Sequence, residues 1–85
     1  MELILITGNG CASCISMHEI AIEAAKKFNL PFKEMEVEKA PEYVEKYDIK
    51  HVPTLLLIDN LRLIDKVHGF QPKEILELWL EYKIK

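Results

Sequence analysis

The chain has 85 residues, of which 49% are hydrophobic and 29% are charged, with a net charge of -3 at pH 7. This length fits one domain, spanning residues 1–85, because independent domains usually need on the order of 100 residues each. Two cysteines are too few for a disulfide-stapled secreted scaffold, and the scattered charges leave no basic stripe for nucleic acid or anionic lipid.

The N-terminal segment resembles neither a targeting signal nor a membrane span. Its apolar run, Leu3–Ile6, is four residues long. A signal sequence needs about 7–15 apolar residues, and a membrane-spanning helix needs about 20. We therefore expect a cytoplasmic protein without a membrane segment, in a compartment where a structural disulfide has little use.

The first two predicted elements are a strand and a long helix. Leu3–Ile6 is a continuous apolar run closed by turn residues 7–10, which is typical of a strand buried on both faces. From Cys11 to Phe28 the apolar residues follow a helical period. The residues on this helical face are Met17, Ile20, Ala21, Ala24, Ala25 and Phe28.

The next two elements are a charged strand and a short helix. Pro31 opens the strand, in which Met35 and Val37 alternate with three glutamates, so one face is expected to be solvated. The glutamates are Glu34, Glu36 and Glu38. Pro41 suits the first turn of a helix, which has to end before residues 48–51.

A hairpin and a last helix complete the chain. Thr54–Ile58 predicts a buried strand, Asp59-Asn60 a two-residue turn, and Leu61–His68 the returning strand. Pro72 then begins a helix with a wide apolar face formed by Ile75, Leu76, Trp79, Leu80 and Tyr82. The order β-α-β-α-β-β-α predicts an α/β protein with a four-stranded mixed sheet and helices on both faces.

The motif that carries chemistry is Cys11-Ala12-Ser13-Cys14, where the first strand gives way to the first helix. A helix N-terminus favours an anion, and such positions lower a cysteine pKa from near 8.5 to about 7 or below. Cys11, at the exposed edge of the loop, is predicted to attack a target disulfide as thiolate. Cys14, inside the first turn, is predicted to resolve the mixed disulfide.

Two other interpretations of the cysteine pair remain open from the residues alone. Cys11 and Cys14 form half of a zinc-binding pattern. His18 lies on the same helical face as Cys14 and is the best local candidate for a third ligand. If it binds no metal, His18 is interpreted as a surface residue of the helix. A structural zinc site needs four ligands, and the sequence has no second CxxC. The third interpretation is an interaction domain that has kept the fold without the activity.

The element order, together with Cys11-Ala12-Ser13-Cys14 and Val52-Pro53-Thr54, resembles the thioredoxin superfamily in its compact, glutaredoxin-sized form. The resemblance covers essentially the whole chain. It implies a thioredoxin fold in which Pro53 is a cis proline facing the dithiol. It further implies that Val52 offers backbone groups to an extended substrate segment and that Gly69 closes the groove.

This sequence also departs from the family pattern. Gly10 replaces the tryptophan before the dithiol of typical thioredoxins, and Leu5 replaces their buried acid, so proton transfer from Cys14 needs water or another group. Gly69-Phe70-Gln71 does not match a glutathione site. We therefore expect a monomeric protein disulfide reductase that needs no bound cofactor. Its substrates would be disulfide-bonded proteins, and a reductase or a low-molecular-weight thiol would donate electrons.

Overall fold

In a computed structural model of the protein, which describes residues 1–84, the chain follows the predicted order of elements. A short 3₁₀ helix at Val37–Lys39 is added between the second strand and the second helix. The elements are β1 (Glu2–Thr7), α1 (Ala12–Lys27), β2 (Phe32–Glu36), α2 (Pro41–Lys46), β3 (Thr54–Asp59), β4 (Arg62–His68) and α3 (Lys73–Ile84).

The four strands form one mixed sheet in the order β2-β1-β3-β4. β1 runs parallel to β2, and β3 runs antiparallel to both β1 and β4. In this register Ile6 lies opposite Thr54, and Thr54 lies opposite His68. The segments that follow β1, precede β3 and follow β4 therefore meet at one end of the sheet.

The central strand β1 is buried on both faces, as predicted for a strand in the middle of an α/β sheet. Leu3 and Leu5 belong to a core cluster with residues of α1 and α3, whereas Ile4 and Ile6 pack with the segment around α2. Fully burying each such side chain contributes about 1.5–3 kcal/mol. The helices thus cover both faces of the sheet, as expected.

The predicted second strand is too long. β2 ends at Glu36, and Val37 and Glu38 belong to the 3₁₀ helix instead. Glu36 pairs with Thr7, the last residue of β1, so the edge strand has no partner beyond this point. The prediction was too long because the alternation of apolar and acidic residues continues past Glu36, where pairing with β1 ends.

The predicted hairpin turn is wrong by one residue. Asn60 and Leu61 have positive φ values of 51° and 66°, and Asp59 pairs with Arg62, so the turn is Asn60-Leu61 and β4 begins at Arg62. Two positive φ values are typical of the tight turns that match strand twist. Leucine rarely adopts this conformation, whereas Asp and Asn tolerate it, and the turn was therefore predicted at Asp59-Asn60.

The apolar face of α3 is narrower than predicted. Leu76 and Leu80 are buried and Trp79 packs against the core, but Ile75 and Tyr82 are 51% and 78% exposed. These two residues lie on the side of the helix that faces solvent. Within residues 1–84, no helix has the length and apolar character that crossing a membrane requires.

Candidate active site

The two cysteines lie where β1 has ended and α1 begins. Cys11 is the N-cap of α1, with extended backbone, and its sulfur accepts a hydrogen bond from the Cys14 N–H at 3.1 Å. Cys11 and Cys14 form a disulfide with a Cα–Cα distance of 5.3 Å. The sulfur thus occupies the place where a capping oxygen satisfies a free helical N–H in other helices.

The two cysteines differ in their exposure to solvent. Cys14 is 5% exposed, whereas Cys11 is only partly buried. The Ser13 hydroxyl lies 3.7 Å from the Cys11 sulfur. The first turn of α1 contains no acidic residue, and Lys26 and Lys27 occupy its last turn. The helix dipole favours a negative charge at Cys11, and that first turn has no carboxylate that would repel such a charge.

The Val52–Pro53 loop lies at the same end of the sheet. Its peptide bond is cis, as the family resemblance implies. The Thr54 hydroxyl donates to the His51 carbonyl at 2.6 Å, and the Gly69 N–H donates to the Pro53 carbonyl at 2.8 Å. Gly69 has a φ of +85°, which an L side chain rarely adopts. The structure therefore brings Val52, Pro53 and Gly69 together.

Gly8 joins this loop to the segment that carries the cysteines. A Cβ atom placed on Gly8 would lie 2.9 Å from Cγ2 of Val52, closer than real Cβ contacts. From the sequence, Gly8 was predicted only as part of a turn. Its position directly after a buried strand was the available signal, because glycine there permits close approach of another segment.

A groove of about 620 Å³ runs along the dithiol on the β2 side, whereas the Pro53 loop lies on the β3 side. Ile15, 76% exposed, forms part of the groove and presents an apolar side chain beside Cys14. Nothing in the sequence pattern singled out Ile15. Side chains that line this groove include Cys11, Cys14, Ile15, His18, Glu19, Glu34 and Glu36.

His18 and Glu34 are in direct contact across the groove. Nδ1 of His18 contacts Oε1 of Glu34, and the imidazole meets the Phe32 ring edge-on, with 6.4 Å between centroids. His18 is a surface residue, with a side chain that is 46% exposed. Glu34 is exposed, as predicted for the solvated face of this strand, and its carboxylate in addition has this specific partner.

The other histidines lie on the opposite flank. The rings of His51 and His68 stack with 5.0 Å between their centroids, next to the Pro53 loop. Across residues 1–84, no three His, Cys, Asp or Glu side chains form a group suited to a metal ion.

Comparisons with known proteins agree with this geometry. The family model for thioredoxin matches residues 2–82. Mouse Glutaredoxin-3 is 35% identical over 63 residues, which cover 73% of this chain but 19% of that protein. Thioredoxin from Staphylococcus aureus is 28% identical over 76 residues, covering 87% of this chain and 73% of that protein. The chain thus spans about a fifth of the length of its Glutaredoxin-3 relatives.

Solved structures show the same fold. Thioredoxin 1 from Thermosipho africanus superimposes with a TM-score of 0.77 at 21% identity, and both chains are covered completely. A mutant thioredoxin from Halobacterium salinarum superimposes with a TM-score of 0.87 at 19% identity, covering 98% of this chain and 74% of that one. With its four-stranded mixed sheet, its three helices and its CxxC disulfide, this chain belongs to the thioredoxin family.

Proposed function

We propose that the protein is a thiol–disulfide oxidoreductase that reduces disulfide bonds in other proteins. The observation that carries this proposal is the unequal exposure of the two cysteines at the N-terminus of α1. Cys11 is only partly buried and its sulfur accepts a hydrogen bond from the Cys14 N–H, whereas Cys14 is 5% exposed. A stabilised, accessible thiolate beside a shielded second thiol is the arrangement that dithiol exchange requires.

The reaction balances with the two cysteines alone. The Cys11 thiolate attacks one sulfur of the target disulfide, and the other target sulfur leaves as a thiolate. Cys14 then loses its proton and attacks the Cys11 sulfur. The Cys11–Cys14 disulfide forms, and the target leaves with both thiols reduced. Two electrons pass from the dithiol to the target, so no bound cofactor is needed.

The Pro53 loop is proposed to bind the target segment next to the dithiol. Val52 would offer its backbone groups to an extended peptide, as in strand addition, and Gly69 would form the other wall. The hydrogen bonds from Thr54 to His51 and from Gly69 to Pro53 support this role, since they hold the loop in one conformation.

The setting of the reaction is part of the same proposal. Disulfide-bonded proteins would be the substrates, and a reductase or a low-molecular-weight thiol would return the Cys11–Cys14 pair to the dithiol. The protein would act as a monomer in the cytoplasm, where a reducing environment keeps such a pair available for turnover.

Two cysteine variants test this proposal. We expect Cys14→Ser to accumulate a mixed disulfide through Cys11 when the reduced variant is mixed with a disulfide-bonded protein. Cys11→Ser should show no reduction above background. Non-reducing electrophoresis and peptide mapping identify the bonded cysteine, and Ser16→Ala, which alters an exposed residue of α1, serves as the control. Trapping through Cys14, or turnover by Cys11→Ser, would contradict the assigned roles.

A metal-binding module that uses Cys11, Cys14 and His18 is the alternative that an experiment has to exclude, although these groove residues do not form a group suited to a metal ion within residues 1–84. Zinc or copper bound in a 1:1 ratio after purification under reducing conditions would favour it. Loss of folding stability on chelation should then accompany loss of the metal.

A further inference from the structure

We propose that His18 and Glu34 form a proton-transfer pair that serves Cys14 when it resolves the mixed disulfide. This inference rests on the proposed reductase function. The groove on the β2 side would then take part in proton transfer as well as lie beside the dithiol.

The resolving step requires a proton acceptor. Cys14 is almost fully buried and has to lose its proton before it attacks Cys11. Burial in apolar surroundings opposes the formation of a thiolate. Leu5 and Met17 belong to the apolar core cluster on this face of the sheet, and the buried polar side chains among residues 1–84 are Thr7 and Thr54, neither of which is a carboxylate. A proton acceptor for Cys14 is therefore expected to lie in the groove.

His18 is placed to be that acceptor. It follows Cys14 by four residues in α1, so the two side chains lie on the same helical face, and both line the groove. Nδ1 of His18 is engaged by the Glu34 carboxylate, which leaves Nε2 as the free ring nitrogen. When a carboxylate accepts a hydrogen bond from the Nδ1–H, Nε2 carries the lone pair that takes up a proton.

Glu34 is placed to orient the imidazole. It lies on β2 two residues after Phe32, so both side chains are on the face of the strand that meets α1. The carboxylate contacts Nδ1 while the Phe32 ring meets the imidazole edge-on. A carboxylate in this position also stabilises the imidazolium that forms when Nε2 is protonated.

The proton that Cys14 loses in the resolving step ends on the leaving target thiolate. In the mixed disulfide, the Cys14 thiol gives its proton through a bridging water to Nε2 of His18. The Cys14 sulfur attacks the Cys11 sulfur, the Cys11–Cys14 bond forms, and the bond from Cys11 to the target breaks. The target leaves as a thiolate and takes the proton back from the imidazolium.

Other charged groups share the groove with His18. Glu19 on α1 and Glu36 on β2 also line it. Lys39 lies 3.3 Å from Glu36 and offsets part of its charge. Glu34 remains the group in direct contact with the ring.

Single-turnover kinetics test the proposal. Reduced protein is mixed with a disulfide-bonded peptide and quenched with acid at set times, and mass spectrometry counts mixed disulfide and released peptide thiol. We expect His18→Gln to slow thiol release about 10- to 100-fold at pH 7, with mixed disulfide accumulating through Cys11. Glu34→Gln should slow release by a smaller factor, and Glu23→Gln, on the exposed side of α1, should not.

The pH profile separates a proton-transfer role from a structural one. Hydroxide becomes an alternative proton acceptor as the pH rises, so the deficit of His18→Gln should be smaller at alkaline pH than at pH 7. Added imidazole should restore part of the rate of His18→Ala at pH 7. Release by His18→Gln at the wild-type rate at pH 7, or a deficit of equal size at every pH, would overturn the proposal.

A separate measurement keeps this proposal distinct from the proposed function. In a Cys14→Ser background, the rate of mixed-disulfide formation should be the same with His18 and with Gln at position 18. If Cys14→Ser traps no target at all, the reductase function itself fails. If it traps normally and His18→Gln shows no deficit, only the proton-transfer role fails.

Discussion

Gly8 joins the dithiol segment to the Pro53 loop through one close contact. The hypothetical Cβ on Gly8 lies 2.9 Å from Val52 Cγ2, and valine has little rotamer freedom with which to move away. Nothing in the local sequence pattern shows this contact, because Gly8 and Val52 are far apart in the chain. Its cause is the register that sets Ile6 opposite Thr54.

We predict that Gly8→Ala lowers kcat/KM for protein disulfides by roughly 10-fold, because it displaces the loop that positions the target. The rate with a small aromatic disulfide, which needs only Cys11, should fall much less. The double variant Gly8→Ala/Val52→Ala removes the clash and should recover most of the loss. A double variant no better than Gly8→Ala would show that the contact does not matter.

Asp65 on β4 has three hydrogen-bond donors around its carboxylate, and two of them, Trp79 and Lys83, lie on α3. Its carboxylate accepts from the Trp79 indole at 3.0 Å and from the Lys66 N–H at 2.8 Å, and it lies 3.2 Å from the Lys83 ammonium. Burial raises the pKa of Asp65, but the hydrogen bonds from Trp79, Lys66 and Lys83 outweigh it, so the pKa lies below the ordinary 3.8. The ionised form therefore stabilises the folded protein.

We predict that Asp65→Asn lowers the free energy of unfolding at pH 7 by about 1 kcal/mol, since solvent screens these interactions in part. A lowered folded-state pKa contributes stability above the unfolded value, and this contribution is lost as the pH falls through the folded-state pKa. The difference from wild type should therefore narrow below about pH 3.8. Urea titrations followed by Trp79 fluorescence measure it, and a difference that stays constant with pH would refute the assignment.

The elements were predictable to the extent that their patterns are local. Helical spacing predicted α1, and the two apolar runs predicted β1 and β3. The ends of β2 and of the hairpin depend instead on partner strands. β2 stops because β1 stops at Thr7, and the turn falls on Asn60-Leu61 because Asp59 pairs with Arg62. The residue pattern within one segment shows neither where the partner strand ends nor which residues pair across the hairpin.

The turn gives a stability prediction for the hairpin. Leu61 has a φ of 66° and is 78% exposed, so its side chain gains little from packing and disfavours the backbone conformation. Leu61→Gly should raise the free energy of unfolding by about 0.5–1 kcal/mol, despite the greater freedom of glycine in the unfolded chain. The midpoint of urea denaturation measures this, with the exposed Leu78→Gly in α3 as a destabilising control. A lower midpoint for Leu61→Gly would refute it.

In the whole molecule, the candidate site is assembled by the sheet. The CxxC motif and its place at a helix N-terminus predicted Cys11 and Cys14, and the resemblance to thioredoxins supplied Pro53 and its cis bond. The contacts of Gly8 with Val52 and of His18 with Glu34 were not predicted. Each joins residues that are distant in the sequence, 16 positions apart for His18 and Glu34, so only the folded chain brings them together.

The reductase function depends on how readily the Cys11–Cys14 pair gives up two electrons. The midpoint potential of this couple, measured by equilibration with dithiothreitol mixtures and mass spectrometry of alkylated protein, tests that property directly. We predict a value near about -270 mV, which is typical of a thioredoxin-type reductant. A value near about -120 mV, typical of a strong oxidant, would contradict the proposed function.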